Sequence, residues 1–123
     1  MATPTDASRD GSPAAGAADR GVVLARFYAG EMVPCPVGCG AAAEAVRVST
    51  TESGGGLIWM ECDGCAQRGR YPVPPATAAE RDRVDERIAA GQEPICPRHE
   101  RRTALRRRGR QLFCPGCGVR FRG

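Results

Sequence analysis

A chain of 123 residues with six aromatic side chains holds one domain or two very small ones and lacks the material for a large apolar core. All 18 of its basic residues are Arg, against 14 acids and a formal net charge of +4. No apolar run approaches the roughly 20 residues that cross a bilayer, so a membrane span is excluded and something other than apolar burial must hold the fold.

In chain order, residues 1–20 are rich in Ala, Gly, Pro, Ser and Asp with no large apolar side chain after Met1. They read as a disordered tail, because such a segment buries too little surface to offset its ordering entropy. They also lack the apolar stretch of a signal peptide, which makes a cytoplasmic protein the expectation. Val22 to Tyr28 is β-branched and aromatic and reads as a strand or a short segment packed against the cysteine-bearing region C-terminal to it. Cys35 and Cys39 form a C-x3-C pair. Val46 to Thr50 alternates as a strand, Thr51 to Gly56 reads as a flexible turn, Leu57 to Glu61 as the return strand, and Cys62 and Cys65 close a C-x2-C pair. Gly69 to Tyr71 adds a third strand that Pro72 is expected to end.

Residues 73–95 read as a linker with a helix at about 77–90. Thr77 and Glu80 make a capping box, Gly91 and Pro94 stop the helix, and its apolar stripe is narrow, mainly Val84 and Ile88. Residues 96–123 repeat the earlier order of parts: Cys96 and His99 in C-x2-H spacing, a hairpin-length segment, then Cys114 and Cys117 in C-x2-C.

Seven Cys and the single His make eight ligands, which is two complete tetrahedral zinc sites with none left over. An all-disulfide framework would strand one thiol and the His, and reduced thiols suit the cytoplasm. Sequential pairing, with Cys35, Cys39, Cys62 and Cys65 at one site and Cys96, His99, Cys114 and Cys117 at the other, needs only loops of hairpin size. Cross-bracing would have to wrap the helix between alternating ligands. Each set offers four protein ligands, so both metals read as structural. A catalytic zinc keeps an open position, and a redox dithiol sits alone at a helix start beside a parallel sheet. With His99 used as a ligand, no catalytic constellation remains, and a non-enzyme is expected.

Charge is distributed unevenly. Segments 1–20, 21–76 and 77–95 carry net −1, −1 and −2, whereas 96–123 carries nine Arg against Glu100 alone, or +8. Zinc with three thiolates and a His adds about −1, leaving this last segment near +7. Arg101, Arg102, Arg106, Arg107, Arg108 and Arg110 lie on or beside the expected second hairpin, and Arg120 and Arg122 follow its last knuckle. Guanidinium groups projected this way are bidentate donors to phosphates, driven by counterion release. The bland alternative is a solvated hairpin in a bacterial protein whose Arg-only, Ala- and Gly-rich composition reflects a GC-rich genome. Phe113 and Phe121 are either small-core residues or base-stacking groups.

With these ligand pairs in place, the chain resembles the zinc-ribbon superfamily in its tandem form, as in small RNA polymerase subunits and transcript-cleavage factors. The resemblance rests on Cys35, Cys39, Cys62 and Cys65, and on Cys96, His99, Cys114, Cys117 and Gly118. It implies a small, metal-stabilised, mainly β fold: an N-terminal ribbon over 21–72 and an Arg-rich ribbon over 96–123, each a β-hairpin with two knuckles, joined by a short polar helix and holding two zinc ions. Transcript-cleavage ribbons carry an acidic pair at the hairpin tip; here the tip is Arg107-Arg108-Gly109, so that activity is not implied. The expectation is a nucleic-acid-binding protein, DNA or RNA. The alternative is an adaptor docking on a larger transcription or DNA-processing complex through an exposed edge at Leu57, Ile58 and Trp59.

Overall fold

The computed structural model describes residues 19–123, so the expected tail lies outside the described residues except for Asp19 and Arg20. These two belong to a helix. The segment read as a strand is α1, Arg20–Ala29. Asp19 supplies the cap: its side chain accepts from the Val22 amide at 2.9 Å. Gly30, at φ 74°, ends the helix in a left-handed turn where the amides of Gly30 and Glu31 return to the Phe27 and Arg26 carbonyls. β-Branched and aromatic composition therefore loses to the caps on either side. Val23 is fully buried, and Leu24, Phe27 and Tyr28 pack against the same core.

Four antiparallel strands come next in the order β1-β2-β3-β4: Val33–Pro34, Ala42–Thr50, Gly56–Cys62 and Arg68–Val73. β3 buries alternate residues, Gly56, Ile58, Met60 and Cys62, which is the period-2 pattern of a strand with one face on the core. Leu57 to Trp59 is therefore no exposed edge: β3 is flanked on both sides, and Ile58 is completely buried. β2 bulges between Ala45 and Arg47, leaving Val46 outside the ladder and exposed. Pro72 does not end β4. It pairs with Leu57 inside the strand, a position open to it because β4 is the sheet edge and needs no outward amide there.

The expected helix is α2, Ala78–Ala89, with Thr77 as N-cap and both halves of the capping box formed: Thr77 Oγ1 accepts from the Glu80 amide at 3.1 Å and Glu80 Oε1 from the Thr77 amide at 2.9 Å. It buries Val84 and lies against the second sheet. That sheet is β5-β6-β7: Arg106–Arg108, Gln111–Phe113 and Arg120–Arg122. Its third strand, β7, has no counterpart in the sequence reading. Gly109 at φ 60° opens the two-residue turn between β5 and β6, the glycine-first geometry that matches strand twist in a hairpin.

The two sheets share one core. Val23, Val33, Ile58, Met60, Tyr71, Val84, Leu112, Val119 and Phe121 form a single buried cluster with Cys96, Cys114 and Cys117. The joint is the glycine run read as a flexible turn. Gly54, Gly55 and Gly56 are buried, and a Cβ on Gly56 would overlap the Cys117 carbonyl oxygen. From the other side, a Cβ on Gly118 (φ 83°) would overlap the Ser49 carbonyl oxygen. Thr50 Oγ1 donates to the Gly118 carbonyl at 2.6 Å, and the Arg120 amide donates to the Gly54 carbonyl at 2.8 Å. These glycines allow two backbones to touch. Among the described residues no helix is long and apolar enough to cross a membrane.

Candidate metal centres and the arginine hairpin

The strand ends and turns bring the eight ligands into two groups. Cys35, Cys39, Cys62 and Cys65 form one, Cys96, His99, Cys114 and Cys117 the other, and within each group the ligand atoms all lie within 4.8 Å of one another. The pairing is sequential, one group to each sheet, and none of the seven cysteines is in a disulfide. A tetrahedron of ~2.3 Å metal–sulfur bonds requires sulfurs about 3.8 Å apart. Cys35 to Cys65 at 3.6 Å and Cys39 to Cys62 at 3.4 Å are close to that spacing.

In the N-terminal cluster, backbone turns aim amides at sulfur: Val37 N–H to Cys35 Sγ at 3.4 Å, Gly64 N–H to Cys62 Sγ at 3.3 Å and Cys65 N–H to the same sulfur at 3.4 Å. Such donors favour thiolate. The backbone amide at Cys39, followed by that of Val37, outweighs burial and holds the Cys35 thiol down to about 6. Cys39 is exposed and Cys65 half-buried, so the cluster is open on one side.

The C-terminal cluster is closed, with all three cysteines buried. His99 lies under two rings of α1: Tyr28 at 4.8 Å and Phe27 at 5.6 Å, both edge-on. Its Nε2 is buried without a hydrogen-bond partner and points at the Cys114–Cys117 turn, where a Cβ on Gly116 would meet it at 3.2 Å. An orphaned ring nitrogen beside three thiols is the state of a metal ligand, and the donor set fits a cation. Hydrogen bonds from Cys114 and Cys96 hold the Cys117 thiol far below the thiol range, and the same contact with Cys117 drives Cys114 far above it. Burial raises the Tyr28 hydroxyl, which also has no partner. Phe27 and Tyr28 were missed as wall residues because their segment was read as a strand.

Arg98, which the charge count did not separate from its neighbours, ties this cluster to α2. Its guanidinium grips Glu80 through Nε–Oε2 at 2.7 Å and Nη2–Oε1 at 2.8 Å, and donates to the Pro74 and Pro75 carbonyls at 2.7 and 2.8 Å. That contact, ahead of the Thr77 amide, holds the Glu80 carboxyl below its ordinary value.

The eight arginines picked as phosphate contacts fall into two sets. Arg122 pairs with Asp85 at 2.7 Å and Arg102 with Glu93 at 3.2 Å. Arg120 is half-buried and donates to the Glu52 carbonyl at 3.4 Å, and Arg101 lies against Gly30 at the end of α1. Arg106, Arg107, Arg108 and Arg110 are all exposed on the β5–β6 hairpin, and none forms an ion pair among the described residues. Arg108 is held over the Phe113 ring at 5.5 Å. The acids on and after α2 thus take up arginines at the base of the second sheet, and the hairpin keeps its charge. Phe121 is buried in the core while Phe113 is only half-buried, so the two phenylalanines have different surroundings. No protein-family model, characterised protein or solved structure matches this chain, and the reading of its role rests on these residues.

Proposed function

We propose that the protein is a non-enzymatic double zinc ribbon that binds nucleic acid through its β5–β6 hairpin, each cluster holding one structural zinc. The observation that carries the reading is the set of four exposed arginines, Arg106, Arg107, Arg108 and Arg110, without ion pairs among the described residues, on a hairpin with no acid among its own residues. Four protein ligands per zinc fill a tetrahedral shell and leave no position for a reacting water, which supports a scaffold role over a catalytic one. Thiolate-rich sets of this kind select zinc over harder cations. Contact is mainly to phosphate, because guanidinium groups on a short arm reach backbone oxygens without reading base edges.

Binding to labelled nucleic acid, followed by fluorescence anisotropy, is expected to weaken about a hundredfold between ~50 and 200 mM salt if four phosphates are neutralised. Replacing Arg106, Arg107 and Arg108 together by Glu is expected to abolish it while metal analysis still finds two zinc ions per chain. Salt-insensitive binding, or binding that survives the triple replacement, sinks the proposal.

A further inference from the structure

The arginine hairpin forms one wall of a groove. Arg108, Gln111 and Phe113 line it on the hairpin side, Thr51 and Glu52 in the turn after β2 line it on the other, and Arg120 lines it from β7, reaching across to the Glu52 carbonyl. Its volume is about 480 Å³, within the ~300–1,000 Å³ of sites that hold one small-molecule-sized group. Of its lining residues Glu52 is the only acid, and its backbone carbonyl already accepts from Arg120.

The combination is specific. A half-buried aromatic ring lines the groove with a guanidinium over it, and the pair makes one flat platform with the guanidinium outermost. A second guanidinium, Arg120, lies within the groove, and the exposed charge of Arg106, Arg107 and Arg110 continues along the hairpin outside it. A duplex keeps its bases stacked on each other and cannot place one on a ring in a recess of this size. An unpaired nucleotide can.

We infer that this groove, between the two sheets, is the site for one unpaired nucleotide of a single-stranded nucleic acid, its base stacked on Phe113 and Arg108 and its phosphates held by Arg120 and the hairpin arginines. The inference rests on the nucleic-acid reading above and narrows it to single strands. The side-chain amide of Gln111 supplies polar contacts to the base edge or sugar. Stacking is tolerant of sequence, since every base has a flat face.

The test compares the full-length zinc-loaded protein on oligo-dT, oligo-U and a duplex of equal charge. Single strands are expected to bind about tenfold or more tightly than the duplex, and Phe113→Leu to lose about that factor on single strands while duplex affinity stays unchanged. Equal affinity for strand and duplex, or a Phe113→Leu loss shared equally by both, overturns the groove and leaves the hairpin reading standing. Failure to bind any of the three overturns both. If Phe113→Leu does not retain two zinc ions, ultraviolet cross-linking of the unaltered protein to oligo-dT decides. Adducts at Arg108, Gln111 or Phe113 are expected, and adducts confined to Arg106, Arg107 and Arg110 overturn the groove.

Discussion

At the N-terminal cluster Cys39 is exposed and Cys65 half-buried, and the sulfurs are served by amides of their own turns. At the C-terminal cluster every cysteine is buried, and the walls come from elsewhere: two rings of α1 over His99, and the Gly54–Gly56 backbone against Cys117 and Gly118. Ligand sets of similar spacing therefore do different mechanical jobs. The first clips the ends of one sheet. The second is the contact point of both sheets and both helices, and its three cysteines are part of the common core.

The largest expected effect breaks that comparison directly. Cys117→Ser should unfold the whole chain, since a structural zinc is worth ~10–16 kcal/mol and a domain of this size has about 5–15 kcal/mol in total. Cys39→Ser should loosen one metal and leave the other, as read by circular dichroism with metal analysis. Equal damage from the two would mean the clusters are equivalent. Next in size, Gly56→Ala forces a Cβ into the Cys117 carbonyl and should cost about 3 kcal/mol or more, a fall of roughly 15 °C in Tm. Gly40→Ala, at φ 99° but in open space beside the N-terminal cluster, should cost only about 1–2 kcal/mol. A chelator should strip zinc in two phases, the faster one vanishing in Cys39→Ser; a single phase would place the two metals in one environment.

The smallest effect concerns the ion pairs. Glu80 has its carboxyl held below the ordinary 4.5 by Arg98, so the pairing contributes fully above pH 4.5 and is lost as the pH falls through the depressed value. Glu80→Gln should destabilise by about 2 kcal/mol at neutral pH, with the gap from the unaltered protein closing in acid. Glu61→Gln removes the exposed Arg68 pair on the N-terminal sheet and should change stability by only a few tenths of a kcal/mol. Comparable urea midpoints for the two variants would show that the half-buried pairing adds nothing.

Ligand spacing was legible because a tetrahedral site needs its donors in pairs at tight turns, and both groups and their sequential pairing follow from it. The capping box at Thr77 and Glu80 was equally plain, as a local interaction written in local sequence. Reading failed where tertiary contact decides. Val22 to Tyr28 has strand-like composition, but Asp19 and Gly30 cap it as a helix, and Asp19 had been assigned to the tail. Gly54 to Gly56 looks like slack and is instead a surface for another backbone, which only the partner, some sixty residues on, reveals. The arginine count could not tell Arg98, Arg102 and Arg122, paired with acids, from the four on the hairpin that have no ion pair among the described residues. The groove beside Phe113 exists only because the two sheets meet.

That meeting sets a schedule for synthesis. Thr50 finds its partner at Gly118, a separation of 68 positions, and Tyr28 at the other end of the fold accepts from the Glu100 amide and covers His99. At about 5–20 residues per second, the early helix and the glycine turn wait roughly 4–14 s on the ribosome before the surfaces they cover have emerged. During that interval Phe27 and Tyr28 are uncovered on that side, and the nascent chain has only its first cysteine cluster complete.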